Sequence, residues 1–104
     1  MRIFWLESAR GDLATIRRFI RRSSPEATRE VAHWIVAGTM ILAENPRAGR
    51  PGRWSGTRQF VILGTPYIAP YRVRARAIEI LRVFHSAKKW PEQPSEEVRM
   101  SHET

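Results

Sequence analysis

The chain opens on a short apolar and aromatic run, "RIFWL" (2–6), which predicts a first strand. Ser8 then offers an N-cap. Ala9, Leu13, Ile16 and Ile20 recur at helical spacing, so residues 9–22 form an expected amphipathic helix whose other face carries Arg10, Arg17, Arg18 and Arg21. A second helix start follows at once. Ser24 can cap, Pro25 suits the first helical position, and Glu26 complements the dipole. Val31, Trp34, Ile35, Gly38, Ile41 and Leu42 mark its apolar stripe, and Asn45-Pro46 stops it. That helix is about twenty residues, roughly 30 Å, long. Leu13, Ile16, Trp34 and Ile35 are expected in the core.

The pattern changes after a loop dense in Gly, Pro and Arg (45–56). "TRQFVIL" (57–63), "YIAPYRV" (67–73) and "AIEILRVF" (77–84) are strand patterns, with turns at 64–66 and 74–76. Pro70 cannot donate to a ladder, so a bulge or an edge-facing position is expected there. Residues 92–104 show no periodicity and are expected to be a flexible polar tail behind a single domain, 1–91. The order β-α-α-β-β-β predicts an α+β fold, a twisted antiparallel sheet with an N-terminal helical hairpin packed on one face.

Charge narrows the function classes. Of 104 residues, 18 are basic and 10 acidic, a net charge of +8. Residues 1–91 hold 17 basic against 6 acidic residues (+11), while 92–104 hold one Arg and four Glu (−3). Sixteen of the 18 cations are Arg, whose fork suits phosphates and carboxylates. A polyanionic or acidic partner is the expectation; a generally basic surface is the bland alternative. There are no cysteines, which excludes disulfides, thiolate zinc sites and a Cys nucleophile and fits a reducing compartment. The longest uncharged run, Trp34 to Ala43, is too short to cross a bilayer, and no secretory h-region follows Leu6. A cytoplasmic protein with no membrane partner is expected. His33, His85 and His102 have no ligand-like spacing, and "RAGRPGRWSG" matches no phosphate-binding fingerprint, so neither metal nor cofactor is expected.

The richest chemistry gathers near the ends of the last strands: Arg58, Tyr67, Tyr71, Arg72, Arg82, His85, Lys88, Lys89 and Trp90. His or Tyr could move a 2′-OH proton, and Arg or Lys could stabilise a phosphorane. Each residue also has a structural alternative. His85 can be a hydrogen-bonded strand end, Arg82 can pair with a carboxylate, and Trp90 can cover the core. Glu79, the lone carboxylate in these strands, alternates away from Arg82 and belongs on the opposite face.

Several stretches, in order, resemble the RelE/ParE superfamily of toxins from bacterial type II toxin–antitoxin systems. They are "WLESARGDLATIRRFI", "ILAENPRAGRPGR", "GTRQFVILGTPYIAPYRV" and "IEILRVFHSAKKWP", together spanning roughly residues 4–91. The resemblance implies the same β-α-α-β-β-β fold. It also implies one of two activities: poisoning of DNA gyrase, as in ParE-like members, or cleavage of messenger RNA on the ribosome, as in RelE-like ones. The nuclease branch resembles itself in basic residues along the first meander strand and in an Arg after the Tyr that begins the next. Here Gln59, Val61 and Ile68 stand in those regions, and Trp90-Pro91 closes the domain. The sequence is therefore more similar to the ParE-like branch. On that resemblance a gyrase inhibitor with a plasmid-stabilisation role is expected, not an enzyme. Arg58, Tyr67, Arg72, Arg82, Lys88, Lys89 and Trp90 would contact target or antitoxin. If it is instead an endoribonuclease acting on ribosome-bound mRNA, Arg82, His85 and Lys88 are the candidates. A non-toxic basic nucleic-acid-binding module is the third expectation. The family further implies a cognate antitoxin with an acidic amphipathic C-terminal segment and a ribbon-helix-helix DNA-binding part.

Overall fold

The computed structural model describes residues 1–95 and the backbone of 99–101. Strand β1 (Arg2–Leu6) runs without a loop into α1 (Glu7–Arg21), and α2 (Pro25–Met40) returns antiparallel to it. Because β1 feeds the helix directly, the cap position falls on Leu6, which makes no side-chain cap bond; Ser8 lies inside the first turn instead. Ser24 does cap α2, its Oγ accepting from the Ala27 N–H at 3.2 Å, with Pro25 next. The helix is shorter than expected. It tightens into a 3-10 turn at Ile41–Ala43, where the Asn45 N–H and side-chain amide both donate to the Ile41 carbonyl.

Five further strands follow: β2 (Arg50–Pro51), β3 (Arg58–Val61), β4 (Tyr67–Arg74), β5 (Ala77–Ile80) and β6 (Phe84–His85). A last one, β7 (Arg99–Ser101), lies in the tail. The sheet order is β2-β3-β4-β5-β1-β7, and β6 pairs with β4 beyond the end of β5. The meander is antiparallel, but β1 lies parallel to β5, Ile3 opposite Ile78 and Trp5 opposite Ile80. The sheet is therefore mixed rather than antiparallel. The helical hairpin carries the chain across one face, and the meander works back to meet β1 running the same way. β7 pairs antiparallel with β1, where sequence pattern predicts no regular structure. The rest of the tail, 96–98 and 102–104, lies outside the described residues.

Period-two alternation sorts the sheet's two faces. Trp5, Phe60, Tyr71, Ile78 and Ile80 face the hairpin and pack with Leu13 and Ile35. Gly38 sets the distance of α2 from the sheet: a Cβ there would lie 2.5 Å from Ile62 Cγ2. Trp34 is not in this core. It is 48% exposed, as Ile41 is 42%. Val31, Ile35, Gly38 and Leu42 already fill the face toward the sheet, and Trp34 sits about 100° round the helix from Ile35.

Pro70 explains why the last predicted strand is broken. Between the pairs Tyr71–Ile80 and Ile68–Phe84, β4 has two residues and the partner strand three, 81–83. The Pro70 carbonyl accepts from the Leu81 N–H, so the missing donor of Pro70 points to the same side, into this bulge. At the other end of β4, Ala75 and Arg76 form a two-residue hairpin turn with φ of 51° and 58°.

Candidate partner-binding surface

Four arginines on or beside the meander turn back onto their own chain. Arg58 Nη1 donates to the Gly49 carbonyl at 2.7 Å. Beside it the Tyr71 hydroxyl donates to the Pro46 carbonyl and accepts from the Gly49 N–H, so the two side chains fasten the 45–50 loop. A Cβ on Gly49 would meet the Tyr71 ring at 2.6 Å, so glycine is required for this approach. Arg72 and Arg74 both donate to Glu79, a fully buried carboxylate on the sheet face away from the hairpin. Arg82 projects to the other face. Its Nε and Nη2 each donate to Asp12 of α1 at 2.8 Å, and the Val83 N–H joins the same carboxylate at 2.9 Å. Glu79 and Arg82 point to opposite faces, although Arg82 lies beyond β5 in the 81–83 bulge, where alternation is broken.

His85 and Tyr67 are brought together. They oppose each other across β4 and β6, with ring centroids 5.6 Å apart and edge-on. His85 Nδ1 accepts from the Ala87 N–H at 3.0 Å, which commits that nitrogen to the turn. Burial raises the Tyr67 hydroxyl above its ordinary value of 10.0, so the phenol keeps its proton at neutral pH. Trp90 packs edge-on against Phe84 and Trp54, centroids 4.9 and 5.4 Å away, and Arg53 stacks over its ring. Lys88 and Lys89 are exposed, with the Lys88 ammonium 5.9 Å from the centroid of Phe19. The nuclease trio is thus divided among three tasks: Arg82 faces α1, His85 holds a turn, and Lys88 leans on Phe19.

A second feature lies on the hairpin. A groove of 740 Å³ runs between α1 and α2. Leu13, Ala14, Ala32, Val36 and Met40 supply apolar lining, and Arg10, Arg17, Arg29 and His33 supply polar heads. Small residues on both helices leave the space. Helical spacing explains the rim, since Arg10 and Arg17 are seven apart and Arg29 and His33 four apart, each pair on one helix face. Sequence pattern places Arg10 and Arg17 on a polar face of α1, but Arg29 and His33 do not stand out. Asp12, Arg53, Trp54 and Phe19 are likewise missed, because each meets its partner across a distance in sequence that no local spacing reveals. Among the described residues no three His, Asp or Glu gather as a metal site, and no helix is long and apolar enough to cross a membrane.

Over residues 3–90 the sequence matches the family described as ParE toxin of type II toxin–antitoxin system, parDE. The chain belongs to that family. It is 41% identical over 91 residues to a Sinorhizobium fredii protein named "Putative toxin Y4kP", covering 88% of this chain and 94% of that one. It is 30% identical over 86 residues to "Toxin RelE2" of Caulobacter vibrioides, covering 83% and 96%. A solved structure described as the chromosomal ParDE TA system from P. aeruginosa superposes with a TM-score of 0.73 at 31% identity, covering 82% of this chain and 95% of that chain.

Proposed function

We propose that this toxin acts in the cytoplasm by contact with DNA gyrase, without chemistry of its own, and that a cognate antitoxin neutralises it. The observation that carries the first half is the commitment of Arg82 and His85 to structural partners, beside a Tyr67 phenol that burial keeps protonated. An RNA-cleaving site needs a base poised to take a proton near neutral pH and a cation aimed at the phosphate. Here the phenol is held protonated and the guanidinium is spent on Asp12. Membership in the ParE family supports the same reading. Lys88 and Lys89 then belong to the target-contact end, with Trp90 packed on Phe84 and Trp54 as its support.

The α1–α2 groove supports the second half. Its apolar floor fits one face of an amphipathic helix, and three guanidinium groups on its rim fit acidic residues beside that face. The antitoxin would supply this helix, with a ribbon-helix-helix part for DNA. Induction of the chain alone in a bacterial host, with DNA and protein synthesis followed by pulse labelling, tests the reading. An early stop in DNA synthesis, with gyrase trapped on cleaved DNA, is expected. An early stop in translation with cut mRNA would overturn it. It would favour the ribosome-dependent nuclease instead, for which the Tyr67–His85 contact is the starting point.

A further inference from the structure

Residues 82–92 form a loop closed at its base and fixed along its length. Arg82 is the closure. While its Nε and Nη2 hold Asp12, its Nη1 donates to the Glu92 carbonyl at 3.2 Å. One carboxylate on α1 therefore orients the side chain that joins both ends of the loop. The Val83 N–H, left without a β4 partner by the bulge opposite Pro70, is also taken up by Asp12. Farther along, the Ser86 N–H donates to the Pro66 carbonyl and the Lys88 N–H to the His85 carbonyl. Trp90 turns inward onto Phe84. The charged groups left outward at the tip are Lys88 and Lys89, beside exposed Ser86 and Ala87.

The loop lies along one stripe of α1. Asp12 and Phe19 are seven residues apart, two turns on the same helix face. Asp12 touches the loop's base, and Phe19 meets its tip through Lys88. Phe19 is 69% exposed, in the sequence "RRFIRR". A large exposed ring among cations is a poor choice for solubility alone and has the composition of an interface anchor.

We propose that Phe19 and the Lys88–Lys89 tip form one contact surface for an acidic protein partner that buries an apolar side chain against the ring, and that Asp12 is the positioning residue that sets its geometry through Arg82. This rests on the reading of the chain as a toxin that works by contact. It adds α1 to the contact surface and removes Arg82 from direct contact.

Lys88 and Lys89 are the two lysines of the sequence, so a lysine-specific protease cuts only at the tip of this loop. With the full chain held well below its melting temperature, Asp12→Ala should be cut about tenfold faster than wild type, because loss of charged hydrogen bonds lets the loop open locally. Phe19→Ser should be cut within about twofold of wild type, since the ring sits outside the clasp. Tyr71→Phe, which weakens the fold elsewhere, serves as the control. Equal cleavage of Asp12→Ala and wild type, or equal acceleration by Tyr71→Phe at matched stability, overturns the positioning role. In induced cells, Phe19→Ser should recover colony formation by about tenfold or more while keeping its melting temperature. Full growth arrest by Phe19→Ser overturns the contact surface. If wild type arrests translation rather than DNA synthesis and Phe19→Ser still relieves it, the surface stands and the gyrase reading falls. A wild-type chain that arrests nothing overturns both.

Discussion

Arg10, Arg17 and Arg29 line an apolar groove on the hairpin, with no carboxylate against them among the described residues. Arg58, Arg72, Arg74 and Arg82, on or beside the meander, each end on an oxygen of the same chain. The two regions look alike in composition and differ in what surrounds the charge. On the meander, alternation and cross-strand pairing place guanidinium groups beside Glu79 or a loop carbonyl, so removing a partner exposes a half-buried charge. On the hairpin the same groups stand over small apolar residues and are open to a partner from outside. A count of basic residues cannot separate these roles; the positions of Asp12, Glu79 and the Gly49 carbonyl do.

Glu79→Ala should break the meander most severely. The side chain is fully buried between Arg72 and Arg74, and its loss leaves two guanidinium groups without their carboxylate. A destabilisation of about 3 kcal/mol is expected by denaturant unfolding. A loss below about 1 kcal/mol would mean that solvent takes over the role of Glu79, and the contrast with the hairpin would fade.

Tyr71→Phe should cost about 2 kcal/mol, because the buried Gly49 N–H loses its acceptor and the Pro46 carbonyl its donor. Burial raises the Tyr71 hydroxyl above 10.0, against the smaller opposing effects of the Gly49 N–H and Arg58. The unfolded chain releases that proton near its ordinary value while the folded chain keeps it. The tyrosine's contribution is therefore complete below pH 10 and drains away as the pH rises through the folded value. Unfolding curves at rising alkaline pH should show this decline in wild type and a flatter profile in the Phe variant.

The fold was legible in outline because β1, both helices and the meander each carry a clear period. Ser24-Pro25 marked a true helix start, and Pro70 marked a true bulge. What failed were properties of the assembled sheet. Parallel pairing of β1 with β5 depends on how the hairpin crosses the sheet, which no local pattern encodes. Trp34 has the right spacing for a core residue, yet narrower neighbours had filled that face. Among the contact candidates, Lys88 and Lys89 stand at the surface, while Arg58, Arg72 and Arg82 are half-buried and bonded within the chain, Arg82 to an aspartate 70 positions away.

The turn at 75–76 should respond in the opposite direction. Two-residue hairpins of this kind favour Asn-Gly, and here Ala75 and Arg76 both adopt positive φ with side chains that disfavour it. Ala75→Asn with Arg76→Gly should raise stability by about 1 kcal/mol, seen as a higher melting temperature. If stability falls, Arg76 contributes to the meander's network of paired arginines, and the contrast between the regions extends to the turn.

The smallest effect on folding should come from the hairpin, and it is the most informative about function. Arg10→Glu, Arg17→Glu and Arg29→Glu together should change stability by no more than about 0.5 kcal/mol each, since their heads stand at the surface of a groove and meet no carboxylate among the described residues. The same triple variant should bind an acidic amphipathic antitoxin segment at least about a hundredfold more weakly, because three favourable rim contacts become three repulsions. Thermal melts and titration calorimetry on one preparation separate the two quantities. Weak binding with an unchanged melt would mark the hairpin's arginines as kept for a partner. A large drop in melting temperature would instead mean that they, too, are held internally, and the antitoxin would have to be sought on another face of the sheet.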